Sequence, residues 1–334
     1  MKTLFLYIVE DKKAPVLAGL SAVEWLKKGA ADTPYCVIEE GEAVSPPASD
    51  YFAVLRSSTP LVTAAHLAEL ILEMEKRGYT GLEIGKGMLV KTTAYFDGFR
   101  PKRRANAPFA RAVESALDLA EAEKALYRRI AELSVQNGAI IPDVASVYID
   151  ALSTLAAGVT VEPYGIVKNS VVEEGAVIGS FSEIENSRVG RGAKVLRSVV
   201  KDSEIKSGAT VGPFAYVRMQ SVVGQNARIG DFVEIKRSRL GANVKAAHLA
   251  YVGDAAVGDG TNVGCGTVFA NYDGKQKHRT TVGKRVFIGA NTNLVAPLTV
   301  GDDVYIAAAT TVTEDVEDGA FVIGRTKAEQ KQKK

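Results

Sequence analysis

The sequence has few of the residues on which many binding sites depend. It holds two cysteines, three histidines and one tryptophan among 334 residues. Cys36 and Cys265 lack the close spacing of a zinc motif, so we expect two free thiols. The N-terminal run MKTLFLYIVEDKK has too few consecutive apolar residues for a secretion signal or a membrane span. We therefore expect a cytoplasmic protein that has no membrane partner.

The sequence also lacks an excess of charge of either sign. Its 41 basic and 39 acidic residues give a formal net charge of +2. Such a balance provides no overall field to hold nucleic acid, so we expect no nucleic-acid partner, and any basic binding site must be local. A compact anionic ligand remains compatible with this balance. The 46% apolar content is that of an ordinary globular chain.

A six-residue period dominates the second half of the chain. One aliphatic residue recurs without a slip at Val282, Ile288, Leu294, Val300, Ile306 and Val312. Earlier runs keep the same step, with five-residue steps at Val189, Leu240 and Val257 that we interpret as local slips. This period matches neither a helix nor a flat strand, and a sandwich of short strands would not keep it, so it predicts a parallel β-helix. With three sides of six residues, residues 161–317 would form about nine coils.

The period breaks at one place. Val263 and Phe269 are in phase, but the next inward residue is Val282, 13 positions later. The intervening segment, 270–279, is polar and contains glycine. We expect it to be a loop extruded from the solenoid, in the manner of functional loops on rigid scaffolds.

The first half of the chain predicts two further segments. Residues 106–136 have a helical apolar stripe, and we expect one long amphipathic helix whose stripe is Phe109, Val113, Ala116, Leu117, Leu126, Ile130 and Leu133. Short apolar runs and a helix-like stretch at 64–76 predict a small α/β domain over residues 1–100. The predicted order is this domain at 1–100, a helical arm at 101–137, the β-helix at 138–325 and a basic tail at 326–334.

Several polar residues near the extruded loop could support chemistry. His248 is followed by Tyr251, Asn262 and the loop residues Asn271, Tyr272 and Lys277, and preceded by Glu234 and Lys236. A carboxylate, an imidazole, a tyrosine and two lysines near one coil edge are typical of an acid-base site for an anionic substrate. The alternatives are a structural role for His248 and a zinc site that His248 and His278 would complete across a subunit boundary.

The stretch from Gly212 to Arg325 closely resembles a known family, the acetyltransferase domain of bifunctional glucosamine-1-phosphate N-acetyltransferase/N-acetylglucosamine-1-phosphate uridyltransferases. The resemblance rests on the motifs GPFAYVR at 212–218, DFVEIK at 231–236, HLAYVGD at 248–254, NYDG at 271–274, LVAP at 294–297 and TVT at 311–313. Their mutual spacings also resemble the family's without a gap. With the helical arm, the likeness covers about the last two-thirds of the chain.

The resemblance implies a mainly β fold, a left-handed β-helix assembled as a homotrimer, with active sites at the subunit boundaries. It implies acetyl transfer from acetyl-CoA to an amino-sugar 1-phosphate, above all glucosamine 1-phosphate, within amino-sugar nucleotide biosynthesis. By the same likeness, His248 is the general base and Asn271 lies beside the amine. We expect Glu234 to be hydrogen-bonded to the imidazole, because a histidine base commonly has an orienting carboxylate. The substrate-binding residues would be Arg218, Lys236, Tyr251, Asn262 and Lys277.

The resemblance also implies a coenzyme A site formed by Cys265, Asn271, Tyr272, Ala290, Ala308 and Arg325. Cys265 replaces a usual alanine, and Ala290 replaces a usual serine, so a hydroxyl near the thioester is lost. An acyl-enzyme on Cys265 is a second possibility beside a packing role for this residue. Lys327, Lys331, Lys333 and Lys334 could meet coenzyme A phosphates or form a solvated tail.

The family's other half is not matched by residues 1–100. The Gly-rich nucleotide loop of that half is absent from the sequence, and Ser58 occupies the place of a magnesium-binding aspartate, with Asn106 only weakly similar to the second ligand. We therefore expect a degenerate remnant with no uridyltransferase activity and no metal. Two other functions stay open, acetylation of another amino-sugar phosphate such as galactosamine 1-phosphate and a non-catalytic trimeric scaffold.

Overall fold

A computed structural model describes residues 2–10, 16–105, 107, 109, 111–325 and 327–332. The chain divides into two compact units, Met1–Arg129 and Ile130–Lys334. Asn106, Lys333 and Lys334, which were given possible roles above, lie outside the described residues. Among the described residues, no helix combines the length and the apolar character needed to cross a membrane.

The first unit contains the α/β elements expected for residues 1–100 and extends beyond them to Arg129. Its strands are β1 (Leu4–Glu10), β2 (Val16–Leu17), β3 (Leu20–Ser21), β4 (Tyr35–Glu39), β5 (Tyr51–Arg56), β6 (Gly81–Ile84) and β7 (Gly87–Lys91). Its helices are α1 (Ala22–Ala30), α2 (Ala64–Arg77) and α3 (Thr92–Phe96). The main sheet has the order β4-β1-β5-β7-β6, in which β1 pairs in parallel with β4 and β5.

Helix α2 coincides with the helix-like stretch of the sequence. It begins after Thr63, whose side chain accepts a hydrogen bond from the His66 backbone, while the His66 imidazole accepts one from the Thr63 backbone. This reciprocal cap satisfies two backbone donors at the helix start. Leu67, Leu70, Ile71 and Met74 then face the core at helical spacing.

The long helix predicted for 106–136 is shorter than expected. Helix α4 covers Ala116–Gln136, and the described residues from 107 to 115 are outside it. Ser115 caps the start of helix α4. Its hydroxyl accepts a hydrogen bond from the Asp118 backbone N–H, while the Asp118 carboxylate accepts one from the Ser115 backbone N–H. The predicted stripe is also partly wrong, since Leu117 and Leu133 are exposed while Leu126 is buried.

The second unit winds into triangular coils whose three sides are stacked parallel strands. The first side holds Thr160–Val161, Val177–Ile178, Lys194–Val195, Thr210–Val211, Asn262–Val263, Phe287–Ile288, Tyr305–Ile306 and Phe321–Val322. The second side holds Tyr148–Ile149, Ile166–Lys168, Glu183–Glu185, Val199–Lys201, Tyr216–Arg218, Val268–Ala270, Asn293–Val295 and Thr311–Val312. Arg228–Lys236 and Lys245–Gly253 run around the corner between these two sides.

The third side holds Thr154–Leu155, Val171–Val172, Arg188–Val189, Glu204–Ile205, Val222–Val223, Arg239–Leu240, Ala255–Val257, Thr280–Val282 and Leu298–Val300. Neighbouring strands on every side pair in parallel, as in the register of Val172 with Val189. The aliphatic residues of the period point inward and are almost fully buried. The predicted fold class, a mainly β parallel β-helix preceded by a helix and a small α/β domain, is confirmed.

The five-residue steps are a regular feature of the coil rather than local slips. They occur where the chain turns from the second to the third side, as between Ile184 and Val189 or Val252 and Val257. A column of buried serines occupies this corner: Ser170, Ser187, Ser203, Ser221 and Ser238. Each hydroxyl accepts a hydrogen bond from a backbone N–H of the next coil. The short turn is therefore stabilised without unsatisfied backbone donors.

The predicted loop interrupts this same corner. Val263 and Ile288 are neighbours in register although 25 residues separate them, whereas Ala246 and Val263 are 17 residues apart. The extra residues lie between the strands Val268–Ala270 and Thr280–Val282. The coil above and below continues in register, so the loop is an excursion from an unbroken scaffold.

Candidate active site

The first corner, where the chain turns from the first to the second side, carries a column of five candidate residues. Each lies two positions after an inward residue of the first side, and these inward residues are in register from coil to coil. The column consists of Asp231, His248, Cys265, Ala290 and Ala308. The structure thus places the predicted base and three predicted coenzyme A residues on one edge, one residue per coil.

His248 is held by Asp231, not by Glu234. The Nδ1 atom of His248 lies 2.8 Å from Oδ1 of Asp231, and the His248 side chain is 59% exposed outside the coil. The predicted contact with Glu234 is wrong because strand register pairs Glu234 with Tyr251 and Asp231 with His248. The hydrogen bond to the imidazole, followed by that to its own backbone, holds the pKa of Asp231 below its ordinary value. An ionised Asp231 accepts from Nδ1–H and leaves Nε2 able to accept a proton.

A second group of predicted residues meets near the opposite corner. Glu234 accepts hydrogen bonds from the Arg218 guanidinium, 2.9 Å from Nε and 2.6 Å from Nη2. Lys236 is in register with Arg218 on the next coil, and the loop brings Lys277 against it. We call Arg218, Lys236 and Lys277 the cation cluster.

The cation cluster disfavours the protonated form of Lys236. Close contact with Lys277 is the main cause that lowers the pKa of Lys236, followed by burial and by the charges of Lys277 and Arg218, while Asp254 acts in the opposite sense. The ammonium groups of Lys236 and Lys277 repel one another, and an anion bound between them would relieve this repulsion. The arrangement is therefore suited to a phosphate dianion, which can accept from several cationic donors at once.

Buried polar groups fix the base of the loop beside this cluster. The Asn271 side chain is buried and donates to Asp254, and its amide nitrogen lies 3.4 Å from the Tyr251 hydroxyl. The Tyr251 ring lies so close over Gly253 that a Cβ there would come within 2.4 Å of the hydroxyl. Tyr251 and Asn271 therefore lie beside the cation cluster through Asp254, a further site residue that sequence reasoning missed.

The tip of the loop is organised by Asp273. Its carboxylate accepts from the Lys275 and Gln276 backbones, each at 2.7 Å, and lies 2.8 Å from His278 Nε2. These bonds, with that to Gln276 foremost, lower the pKa of Asp273. Tyr272 is exposed and donates to the Gly274 carbonyl. In the described part of the chain, no group of three His, Cys, Asp or Glu side chains is placed to hold a metal ion.

The two halves of the candidate site lie at opposite ends of the second side. Lys236 is in register with Gly253, which follows His248 by five residues and lies past the first corner on the second side. Asn262 lies on the first side, in register with Lys245 and Phe287. The structure therefore does not gather all predicted site residues at one coil edge of a single chain. Sequence spacing alone could not show this separation. Successive side chains of a strand point to opposite faces, and each corner changes the direction in which the following side chains point.

The last coils contain a cavity near the end of the first-corner column. It has a volume of about 530 Å³ and is lined by Tyr305, Ala307, Ala308, Phe321 and Arg325. Arg325 donates from Nη1 to the Ala308 carbonyl at 3.0 Å. Two predicted coenzyme A residues, Ala308 and Arg325, therefore share one cavity with two aromatic rings.

Comparison with known proteins confirms the resemblance read from the motifs. The chain is 44% identical over 216 residues to the bifunctional protein GlmU of Clostridium acetobutylicum, and the alignment covers 64% of this chain and 47% of that protein. The GlmU of Brevibacillus brevis is 44% identical over 214 residues, with 64% and 46% coverage. The chain thus spans about half the length of these relatives. No protein-family model matches it.

Two solved structures are also similar to the chain. LpxA from Acinetobacter baumannii shares 17% identity with a TM-score of 0.32, and the match covers 53% of this chain and 68% of that one. PerB from Caulobacter crescentus, in complex with CoA and GDP-perosamine, shares 13% identity with a TM-score of 0.22, covering 96% and 93%.

Proposed function

We propose that the protein is an N-acetyltransferase that transfers the acetyl group of acetyl-CoA to the amine of an amino-sugar 1-phosphate, with glucosamine 1-phosphate as the best candidate. The observation that carries this proposal is the exposed His248 imidazole, fixed at Nδ1 by Asp231 with Nε2 available. The similarity to GlmU proteins supports the same chemistry. A cytoplasmic location remains a prediction.

In this proposal His248 acts as the general base of a direct transfer. The amine nitrogen forms a bond to the thioester carbonyl carbon while Nε2 of His248 takes the amine proton. The tetrahedral intermediate then breaks its carbon–sulfur bond, and the departing thiolate receives the proton from the imidazolium. Asp231 holds the tautomer and stabilises the charged ring in between.

The cation cluster would bind the sugar phosphate. Arg218 is held by its hydrogen bonds to Glu234, and Lys236 lies close to both Lys277 and Asp254. Tyr251 and Asn271 border the same space and would contact the sugar and its amine. Binding a dianion there converts a repulsive contact between two ammonium groups into two attractive ones.

The separation of the two halves favours a site shared between copies of the chain. The amine and the phosphate of an amino-sugar 1-phosphate stand on adjacent carbons, whereas His248 and Lys236 occupy opposite ends of the second side. We propose that the first corner of one copy, with Asn262, faces the second side of its neighbour in a homotrimer. Neither copy alone would then assemble a complete site.

The decisive experiment is thiol release from acetyl-CoA in the presence of glucosamine 1-phosphate or galactosamine 1-phosphate. His248→Ala should lower kcat by about 10²- to 10⁴-fold, the usual contribution of a general base. His66→Gln is the matched control because His66 lies in the first unit. Equal rates for the parent and His248→Ala would reject the assigned base, and no release with either sugar would favour the scaffold. A galactosamine preference would change the substrate and leave the chemistry.

Cys265 is exposed on the same column as His248, so the acyl-enzyme alternative has a separate test. Cys265→Ala should retain activity if transfer is direct. Loss of activity together with loss of a [¹⁴C]acetyl label on the protein would replace the direct mechanism with a covalent one.

We also propose that the first unit has no uridyltransferase activity. Ser58, which stands where the family places a magnesium-binding aspartate, follows β5 and has a buried hydroxyl without a hydrogen-bond partner among the described residues. A neutral hydroxyl there lacks the negative charge that a carboxylate offers to Mg²⁺. Pyrophosphate release from UTP and N-acetylglucosamine 1-phosphate would contradict the proposal.

A further inference from the structure

Three aromatic rings stack on the outer face of the first side in the last coils. Phe287 and Tyr305 are in register, as are Tyr305 and Phe321. The ring centroids lie 4.7 Å and 5.5 Å apart, with interplanar angles of 15° and 17°. We call these three residues the aromatic ladder. Its spacing follows the rise of the solenoid, about one strand separation per ring.

Phe321 is the end of this ladder. It lies in the last strand of the solenoid and is 65% exposed, the largest fraction of the three. One face of its ring stacks on Tyr305, and in the described part of the chain no further strand of the first side follows it. An exposed ring of this size favours a partner that covers it, and a planar ring can continue the stack.

The surroundings of Phe321 indicate the chemistry of that partner. The cavity of about 530 Å³ beside it is also lined by two small residues, Ala307 and Ala308, and by a cation, Arg325. The bond to the Ala308 carbonyl fixes the guanidinium and uses one of its five N–H donors. A planar aromatic face next to a fixed guanidinium matches a purine ring that carries a phosphate.

The position of the cavity indicates how this nucleotide would relate to the reaction. Ala308 lies three coils from His248 on the first-corner column, or about 14 Å along the solenoid axis. A ligand that reaches both places must be extended, with its reactive acyl group at one end and its nucleotide at the other. Coenzyme A thioesters have this form.

We propose that Phe321, supported by Tyr305, is the stacking platform for the adenine ring of the acyl donor, beside Arg325, whose contact with coenzyme A the family resemblance already implies. This inference rests on the proposed acetyl transfer for the identity of the ligand. It assigns Phe321 and Tyr305 a role in donor specificity: the protein would select a donor with a nucleotide end over one with only a pantetheine arm.

Binding of adenosine 3′,5′-bisphosphate, measured by titration calorimetry, tests the platform without acetyl transfer. Phe321→Ala should weaken binding about ten-fold, since stacking on an aromatic residue commonly contributes on that order per base. Phe321→Trp should restore it. Phe181→Ala is the matched control, because Phe181 is a similarly exposed ring stacked on Tyr164 outside this cavity. Equal affinity of the parent and Phe321→Ala would overturn the proposal.

Kinetics with two donors provide an independent readout. Phe321→Ala should raise KM for acetyl-CoA about ten-fold with kcat retained, and should leave the reaction with acetyl-pantetheine unchanged. If Phe321→Ala does not fold, Phe321→Leu removes the flat face while keeping apolar bulk. A parent that binds the bisphosphate without transferring acetyl groups would refute the proposed function alone. A parent that transfers acetyl groups but gains nothing from Phe321 would refute this inference alone.

Discussion

Asp231 and His248 face each other across adjacent coils, with Oδ1 of the aspartate 2.8 Å from Nδ1 of the histidine. Their strands are in register at these two residues, so the scaffold itself sets the contact. Both side chains project outward at the first corner, where the imidazole keeps its second nitrogen open to a ligand. In the proposed reaction this pair would serve as the base and its positioning residue.

Asp231→Asn should lower kcat by at least about 10-fold and by up to about 10⁴-fold, with little change in KM for the sugar phosphate, because the carboxylate that orients the histidine base is lost. An amide at residue 231 can donate to Nδ1 and thereby stabilise the wrong tautomer. Asp231→Glu should recover part of the rate. Steady-state measurement of kcat and KM tests this prediction. If Asp231→Asn has the same kcat as the parent, the contact between Asp231 and His248 has only a structural role.

A mixture of two inactive variants should regain activity if sites are shared between copies. His248→Ala and Lys236→Ala, co-expressed in equal amounts, would leave about a quarter of the sites with both residues intact by random pairing. His248→Ala mixed with Asp231→Asn is the control, because both changes affect the first corner. Restored acetyl transfer in the first mixture only would support a shared site, whereas failure of both would place each site within one chain.

Lys277→Gln should change the pH dependence of sugar-phosphate binding. Lys236 binds a phosphate best when protonated, so affinity falls as pH rises through its lowered pKa. Removing Lys277 removes the main cause of the lowering, and the loss of affinity should move to higher pH, while KM at neutral pH rises because one cation is gone. Lys275→Gln in the same loop is the control. The measurement is KM for the sugar phosphate from pH 7 to pH 10. A Lys277→Gln profile that matches those of the parent and of Lys275→Gln would contradict the prediction.

The first unit should lose stability in mild acid through His66. Burial, followed by the charge of Arg129, lowers the pKa of His66, whose ring stacks on Phe109 with centroids 3.9 Å apart. The unfolded chain then binds more protons below its ordinary pKa of about 6.5, so stability is full above that pH and lost as pH falls.

Thermal unfolding followed by the fluorescence of Trp25, which is buried in the same unit, tests this effect. His66→Gln keeps an acceptor for the Thr63 backbone but does not titrate. Its midpoint should fall less than that of the parent between pH 7 and pH 5. Parallel curves for the two proteins would show that another group is responsible.

The sequence by itself determined the solenoid and its loop. A six-residue period admits one inward side chain per side of a triangular coil, so Val282 to Val312 could be assigned before any coordinates. The break after Phe269 predicted the excursion for the same reason. The start of helix α4 was less predictable. It is set by local hydrogen bonds between Ser115 and Asp118, and the spacing of apolar residues carries no information about these bonds.

Only the tertiary structure decided which side chains meet. Glu234 and Asp231 are three residues apart in sequence. Strand alternation and register nevertheless place Asp231 against His248 and Glu234 against Arg218. The crowding of Lys236 by Lys277 likewise depends on a loop folding back across two coils. A period fixes the direction of each side chain within its own coil. Contacts between coils depend on how many residues each corner and loop consumes, and that is set by the packed structure.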